Sequence, residues 1–407
     1  MNIVLDNIGT ITLFLLLFNF VINWFFRSKE FAIFRGVILT IYSLVFLTLF
    51  DSLVSFVPPF IVLLLYSLVF VDTLLLVRPK MQPVWMRILV NWPGQWFLGA
   101  TIIAFPWALS LLFLDSTDFL YIPYILGGIG LLQNFQVTKE NVFIDLNDNE
   151  NPSKLSRLDL AKPSSNNNDK LHIVQLTDPH LGPYMSVARL KRICENAVKE
   201  QPDLILLTGD FLTMESKGSA QILSQSLRPL KDYNGKVFAC MGNHDHEAPE
   251  IVREALTNNN ITLLIDEAQT VQTRLGAVQV IGFDFHFKDR ASKLSKAVKD
   301  LPAVREVIAR IALLHDPSHV LDLPTNNDID LFLSGHTHGG QIGLLSLGFK
   351  TTILSLFSKS PDHGLWGINK TKLYVHRGTG HYGFPFRLGV PAEHSVIKLT
   401  LKTSKIV

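Results

Sequence analysis

Side chains that can bind metal ions follow five apolar segments of the chain, each of which reads as a strand. In chain order they are Asp178 with His180, Asp210, Asn243 with His244 and Asp245, His315, and His336 with His338. Ligands bind beyond the carboxyl ends of strands in open α/β sheets, so we expect these residues to converge on one site. Carboxylate, imidazole and amide ligands without a thiolate suit Mn, Zn, Fe or Mg. Two metal ions sharing a carboxylate would bind both the attacking and the leaving oxygens of an in-line phosphoryl displacement.

The elements that position these residues are apolar strands that alternate with helical stretches. Continuous apolar strands separated by helices indicate an α/β sheet that is buried on both faces. The helices are predicted over 187–199, 221–230 and 249–257, after the strands LHIVQLT, LILLT and KVFACM. Further strands are predicted over 142–146, 278–283, 310–315, 329–334, 372–376 and 395–401. The polar stretch 151–170, with its Pro-Ser-Ser and Asn runs, is predicted to be a loop.

The motifs D-x-H, G-D, G-N-H-D, a lone His and G-H-x-H occur here in an order that resembles the calcineurin-like metallophosphoesterase superfamily, over about 171–400. Gly339-Gly340-Gln341, the R-G-x-G sequence at 377–380 and the P-x-R-L-G sequence at 385–389 are most similar to its membrane-associated bacterial branch. That branch includes membrane-anchored enzymes of the UDP-2,3-diacylglucosamine hydrolase type. The resemblance implies a four-layer αββα sandwich.

The resemblance also implies two divalent metal ions, with manganese favoured. It assigns Asp178, His180 and His338 to the first ion, Asn243, His315 and His336 to the second, and Asp210 to a bridge between them. His244 would contact the phosphate and help to protonate the leaving oxygen, and Asp245 would orient its imidazole. Purple acid phosphatases resemble this pattern but have a Tyr ligand where this chain has Thr213, so we do not expect a ferric-tyrosinate centre.

The first 135 residues have a different composition. They contain six basic and six acidic residues and none of the 13 His, in a chain that is 48% hydrophobic overall and has a mean hydropathy of +0.26. Their apolar runs approach the roughly 20 residues that cross a bilayer. Spans are predicted over 8–26, 36–57, 60–77, 96–114 and, in a short and glycine-rich run, 119–135. Asp51 and Asp72 fall near span ends, where we expect them to be interfacial.

Basic residues after the first and third spans make those two loops cytoplasmic by the positive-inside rule. Five spans then place the following domain in the cytoplasm, whereas four would place it outside. We favour five, in a bacterial inner membrane. The predicted organisation is a polytopic α-helical membrane domain over 1–135, a linker with the first strand over 136–170, and the α/β metallophosphoesterase domain over 171–407.

Charge and cysteine content exclude other classes of protein. A net charge of +2 gives no electrostatic footprint for nucleic acid. Two cysteines, Cys194 and Cys240, are too few for a disulfide framework, so we expect both to be buried.

The sequence therefore favours a membrane-bound phosphoesterase that acts on a phosphodiester or pyrophosphate, with a lipid bilayer and a lipid-linked substrate as partners. UDP-2,3-diacylglucosamine is the example that the resemblance supplies. One alternative is an extracytoplasmic phosphatase or phosphodiesterase that acts on phospholipids or cell-wall intermediates. Another is a non-catalytic membrane scaffold or sensor.

Two segments outside the motifs bear on the substrate. The stretch 342–357 has nine Ile, Leu or Phe residues and one charge, Lys350. It is expected either to lie beside the cleft and meet lipid, or to be buried in the domain core. His381 either borders the substrate cleft or is structural.

Overall fold

The computed structural model describes residues 2–402 except 79, 149, 151, 164–168, 183, 214–215, 217–220, 303–305, 326 and 384–385. The chain forms two compact units. One comprises Met1–Gln133, with which Gly383–Leu388 is grouped. The other comprises Asn134–Thr213, Ser219–Tyr382 and Gly389–Val407.

The first unit is helical. Its helices are α1 (Asn2–Phe26), α2 (Lys29–Phe56), α3 (Pro59–Leu75), α4 (Val84–Met86), α5 (Trp92–Ile103), α6 (Phe105–Leu114) and α7 (Tyr121–Asn134), with a π-helical stretch over Arg87–Asn91. Ser28 caps α2 by accepting a hydrogen bond from the Phe31 amide, and prolines occupy the first turns of α3, α5 and α6. Proline is tolerated there because the first-turn amides lack intrahelical partners.

Helix length bears on the number of spans. Among the described residues, two helices are long and apolar enough to cross a membrane, Asn7–Phe26 and Lys29–Phe56. A third span is possible if Val84–Ile103 and Phe105–Leu114, which meet at a bend of 44°, form one span. Pro59–Leu75 has 17 residues and Tyr121–Asn134 has 14, so both are shorter than a typical span. The chain thus has the helices of a membrane protein, and the five-span topology stays a prediction.

Asp72 lies inside the helical unit, and its position at a membrane interface stays a prediction. Its carboxylate is 2% exposed and accepts hydrogen bonds from the amide groups of Asn91, at 2.5 Å, and Gln95. Arg35 Nη2 lies 3.7 Å from it. A charge among apolar helices persists only when it is paired in this way. Asp51, by contrast, is exposed.

The second unit contains two mixed β-sheets. The six-stranded sheet has the order β1-β13-β3-β4-β5-β6 and the seven-stranded sheet the order β2-β11-β12-β10-β9-β8-β7. The strands are β1 (Val137–Asp145), β2 (Ser156–Arg157), β3 (Lys170–Leu176), β4 (Leu204–Leu207), β5 (Val237–Ala239), β6 (Thr262–Leu263), β7 (Glu267–Thr273), β8 (Gly276–Gly282), β9 (Ala309–Leu313), β10 (Leu331–Ser334), β11 (Gly364–Ile368), β12 (Thr371–Val375) and β13 (Ala392–Thr400). The central strands of both sheets run parallel, so their carboxyl ends share one edge.

Three apolar layers hold the sheets together. One core lies between the two sheets, where Ile173, Leu206 and Phe238 face Val280 and Ile311. A second lies under the helices α8 (Val187–Lys199), α9 (Ile222–Leu227) and α10 (Pro249–Asn258). The third lies under α11 (Arg290–Asp300). The order helix, sheet, sheet, helix is the αββα sandwich that the resemblance implies, and that prediction is confirmed. The remaining helix is the short α12 (Ile353–Phe357).

The described part of 136–170 includes strands of this sandwich. The strand predicted over 142–146 is longer and pairs along its length with β13, from Val137 opposite Ala392 to Asp145 opposite Thr400. Ser156 and Arg157 pair with β11 in the other sheet. The segment expected to be a linker with one strand thus contributes a strand to each sheet. Both cysteines are buried, as expected.

Replacing Leu206 with Ala should lower the free energy of unfolding by about 2–5 kcal/mol, because this fully buried side chain fills the core between the sheets. Leu321→Ala is the matched control, since that leucine is 59% exposed. Denaturant unfolding of the detergent-solubilised protein measures both. Equal destabilisation by the two substitutions would contradict the packing described above.

Candidate metal centre

The seven predicted ligand residues lie in the loops that follow β3, β4, β5, β9 and β10. Two groups of their side chains place their ligand atoms within 4.8 Å of one another. The first group is Asp178, His180 and His338, and the second is Asp210, His315 and His336. Each group offers a carboxylate and two imidazoles, a set that fits a divalent ion of the Mn, Zn or Fe type.

The first group is compact and buried. His180 Nε2 lies 3.1 Å from His338 Nε2 and 3.8 Å from Asp178 Oδ1. His338 Nε2 lies 3.4 Å from the same Asp178 oxygen. These three atoms therefore face one point, as the ligands of a single ion must.

Asp210 joins the two groups. Its Oδ2 atom lies 3.2 Å from His315 Nε2, in the second group, and 3.6 Å from His180 Nε2, in the first. His336 Nδ1 completes the second group at 3.3 Å from His315 Nε2. A carboxylate oxygen between two such imidazoles is placed to bridge two ions.

Asn243, the remaining predicted ligand, offers a buried oxygen that lacks a partner. Among the described residues, no hydrogen-bond donor reaches Asn243 Oδ1. Buried amide oxygens are normally hydrogen-bonded, so an orphaned one calls for an explanation. A metal ion bound by this oxygen would supply one, and in this respect the residues present fit the group that the sequence implies.

Hydrogen bonds behind the ligands fix their orientation. His315 Nδ1 lies 2.6 Å from the Thr208 carbonyl oxygen, which assigns the proton to Nδ1 and leaves Nε2 to face Asp210. His180 Nδ1 lies 3.3 Å from the Leu212 carbonyl oxygen in the same way. Asp178 Oδ2 accepts hydrogen bonds from the Thr177 hydroxyl and the His336 amide. Partners of this kind hold metal-binding imidazoles in one tautomer and one direction.

The backbone at the ligands is strained. Positive φ angles occur at Asp178 (49°), His180 (44°), Asp210 (56°), His336 (68°) and His338 (52°). Side chains other than glycine rarely adopt this region, and the cost is of order 1–3 kcal/mol per residue. The sharp turns at the strand ends impose these angles, and the packing of the sandwich must maintain them.

Two glycines permit the carboxylates to approach the backbone. A Cβ atom on Gly242 would lie 2.1 Å from Asp210 Oδ1, and one on Gly335 would lie 2.1 Å from Asp178 Oδ2. Any side chain at either position would displace a carboxylate of the centre. The glycines of the G-N-H-D and G-H-x-H motifs are therefore required because only glycine leaves room for these carboxylates.

Burial and mutual charge shift the titration of these groups. Burial, together with repulsion from Asp210, raises the pKa of Asp178 to about 6. Burial lowers the pKa of His180 to about 3 and that of His336 to about 4. For His315, burial also acts to lower the pKa, but attraction to Asp210 outweighs it and raises the pKa to about 10. Neutral His180 and His336 keep their ring nitrogens available to a cation.

The structure corrects the role predicted for Asp245. Its carboxylate does not orient His244 but accepts hydrogen bonds from the backbone amides of Asp210, Phe211 and Gly242, at 2.8–2.9 Å. Glu247 Oε1 lies 3.0 Å from His244 Nδ1 instead. The reason is the 3₁₀ turn Asp245–Glu247, which brings the residue three positions after His244 back beside its ring. This hydrogen bond and the charge of Asp210 offset burial and raise the pKa of His244.

Tyr382 is a site residue that the motifs do not reveal. Its ring centroid lies 4.3 Å from that of His244 and 5.0 Å from that of His180. Gln341 fixes this segment, since its side-chain oxygen accepts from the Tyr382 amide and its side-chain nitrogen donates to the Tyr382 carbonyl. The neighbouring His381 is buried and contacts Tyr184. The R-G-T-G-H segment, for which the sequence left a cleft position and a structural role of His381 both open, is the sequence signal nearest to Tyr382.

The stretch 342–357 is not buried in the core, so that expectation is wrong. Six of its large apolar side chains are exposed, namely Leu344, Leu347, Phe349, Ile353, Leu356 and Phe357. Leu354 lines a cavity of about 380 Å³ together with His336, Thr337 and Asp316. The stretch therefore lies beside the second ligand group, as predicted.

Comparison with known proteins agrees with this geometry. The model of the family described as calcineurin-like phosphoesterase matches residues 171–340, which contain all seven ligand residues. The metallophosphoesterase YkoQ of Bacillus subtilis is 30% identical over 232 residues, 55% of this chain and 82% of that protein. The chain belongs to the calcineurin-like phosphoesterase family. A dinuclear divalent metal site is the cofactor of this family, and the two side-chain groups described above supply ligands for it.

Two further relatives extend the comparison. A protein named phosphodiesterase YaeI from Escherichia coli is 27% identical over 56% of this chain and 81% of its own length. An uncharacterised metallophosphoesterase of Helicobacter pylori is 30% identical over 62% of this chain. The match spans 64% of the Helicobacter protein, which is less than two thirds of its length.

Replacing Asp210 with Ala should remove at least one metal ion from the metal-loaded protein, because both groups lose the charge that they share. The strand that ends before Asp210 keeps its core contacts, so the fold should persist. Elemental analysis of the purified protein measures the metal content, and Asp300→Ala, an exposed position on α11, is the control. Full occupancy of two metals in Asp210→Ala would contradict the bridging position.

Glu247→Gln and Asp245→Asn should have different effects. Loss of the Glu247 charge should lower kcat by about tenfold, because an outer partner tunes the imidazole that it contacts, and should leave the melting temperature unchanged. Asp245→Asn should lower the free energy of unfolding by about 1–3 kcal/mol, since three buried amides lose a good acceptor. Steady-state kinetics and thermal unfolding of both variants separate the two roles. If instead Asp245→Asn lowered kcat without destabilising the protein and Glu247→Gln did not lower kcat, Asp245 would be the residue that orients His244.

Proposed function

We propose that this protein is a membrane-bound, dinuclear metal-dependent phosphoesterase that hydrolyses a phosphodiester or pyrophosphate bond in a lipid-linked substrate. The observation that carries the proposal is the meeting of two three-residue ligand groups at Asp210 Oδ2. A structural metal site would be closed and would need only one such group. Two ligand groups that share an oxygen could hold two ions side by side, and two such ions can stabilise both the attacking and the leaving oxygen of a phosphoryl transfer.

Each side chain has a place in this reaction. Asp178, His180 and His338 would hold one metal ion, and Asn243, His315 and His336 the other, with Asp210 between them. When bound, two such ions polarise a phosphoryl oxygen and lower the pKa of water toward neutrality. We favour manganese, on the resemblance to the membrane-associated branch.

His244 would act on the substrate rather than on the metals. It belongs to neither ligand group, its ring lies 5.6 Å from that of His180, and Glu247 and Asp210 raise its pKa. A protonated imidazole at this position can donate a hydrogen bond to a phosphate oxygen and a proton to the leaving oxygen. The Tyr382 ring packs against this ring at an interplanar angle of 32°.

A lipid-linked substrate is supported by the helices of membrane-spanning length in the same chain. Tethering to a bilayer raises the effective concentration of any substrate that resides there. UDP-2,3-diacylglucosamine, hydrolysed at its pyrophosphate in the cytoplasmic leaflet of a bacterial inner membrane, is the specific candidate. With four spans the α/β unit would lie outside the cytoplasm, and the substrate would instead be a phospholipid or a cell-wall intermediate. The complete set of ligand residues disfavours a non-catalytic scaffold.

A diesterase assay tests the chemistry. We expect the purified protein to hydrolyse bis(p-nitrophenyl) phosphate, to lose this activity on chelation and to recover it with added Mn. His244→Ala should lower kcat by about 10²–10⁴, the usual contribution of a general acid, while its metal content stays at the wild-type value.

His246→Ala is the matched control, because that His contacts Asp284 and is not a member of either ligand group. Activity that survives both chelation and Asp210→Ala would overturn the proposed reaction. Loss of metal in proportion to activity in His244→Ala would instead make His244 a ligand. Hydrolysis of UDP-2,3-diacylglucosamine in mixed micelles tests the specific substrate.

A further inference from the structure

Exposed apolar side chains of the α/β unit are concentrated in one segment, 342–357, here called the apolar loop. Six of the nine large apolar residues that are exposed among the described residues of this unit lie in it. Leu347 is 71% exposed, Phe349 60% and Phe357 85%. Single exposed apolar residues are ordinary, but a contiguous set of this kind marks an interaction surface.

The apolar loop is a folded structure. Gly343 pairs with Thr352 in an isolated bridge, and the Leu344 amide donates to the Thr351 carbonyl at 2.9 Å. Thr352 caps α12 in a reciprocal capping box with Ser355, and its hydroxyl donates to the buried Asp362 carboxylate at 2.6 Å. The exposed side chains are therefore presented by an ordered scaffold.

The apolar loop begins at the metal centre. Ile342 follows His338 by four positions and bridges to Gly389. Leu354 shares the wall of the 380 Å³ cavity with His336. The segment that carries the exposed apolar side chains therefore also contributes to the wall of that cavity.

Charge indicates which kind of partner meets this surface. Over 342–361 the only charged residues are Lys350 and Lys359, and Lys350 is paired with Asp159, its Nζ lying 2.5 Å from Asp159 Oδ1. Exposed Phe and Leu next to Lys are the composition that enters the interface of a bilayer, where the Lys359 ammonium can meet an anionic headgroup. The same chain carries helices of membrane-spanning length, so a bilayer is always near.

We infer that the apolar loop is a bilayer-contacting surface, whose exposed Leu and Phe side chains enter the lipid interface next to the cavity beside His336. Acyl chains would then stay in the lipid while the phosphate attached to them reaches the metal ligands. The contact itself does not depend on the reaction proposed above. A second copy of this chain is the competing partner.

Site-specific labelling tests the contact in the full chain. Because Cys194 and Cys240 are both fully buried, a cysteine introduced as Leu347→Cys or Phe357→Cys should react selectively with an environment-sensitive fluorophore. Lys296→Cys, exposed on α11, is the matched control. The labelled proteins are reconstituted in phosphatidylcholine and phosphatidylglycerol vesicles that contain lipids with a nitroxide on the acyl chain.

We expect quenching and a blue-shifted emission at positions 347 and 357, with a depth of about 5–10 Å, and neither effect at position 296. Equal, weak quenching at all three positions would overturn the inference, as would a cysteine crosslink between copies at position 347 in the absence of lipid quenching. The readout needs no turnover, so it stands even if the diesterase assay fails. An unchanged melting temperature confirms that each labelled protein is folded.

Discussion

Everything in the α/β unit depends on holding three carboxylates, those of Asp178, Asp210 and Asp245, almost wholly out of water. Buried anions this close repel one another, which is why burial and the charge of Asp210 raise the pKa of Asp245 to about 7. The chain compensates with backbone amides for Asp245 and with imidazoles for the other two. Bound divalent cations would offset the remaining repulsion among these carboxylates. The same negative charge that is costly to bury would therefore favour binding of the cofactor.

The sequence was most informative about the metal-binding side chains that follow the strands. A polar residue that follows a buried parallel strand lies at the carboxyl-end edge of the sheet. The positions of Asp178, Asp210 and His315 could therefore be predicted without knowledge of the packing. The αββα order came from the resemblance, because periodicity alone does not separate one sheet from two. The sequence did not predict β2, β6, β7 or β11. β2 and β6 have only two residues each, β7 is an edge strand that is largely exposed, and glycines interrupt the apolar run of β11.

Other features depend on geometry that no motif encodes. Whether Asp245 or Glu247 meets His244 is decided by a single 3₁₀ turn, and Tyr382 reaches the site from a distant part of the chain. In the helical unit, the apolar run predicted over 96–114 is divided near Ala104 into two helices that meet at a bend, which run length does not reveal. The partners of Asp72 could not be predicted, because Asn91 and Gln95 belong to another helical segment.

The pairing of β1 with β13 sets an order of events during synthesis. β1 emerges immediately after the apolar helices, yet its partner, from Ala392 to Thr400, is made some 250 residues later. During translation the helices can therefore enter the membrane while β1 lacks its partner strand. Closure of the six-stranded sheet waits for β13, by which time all the ligand residues, His338 included, have been made. The metal centre therefore lacks the support of a complete sheet until β13 has joined β1 and β3.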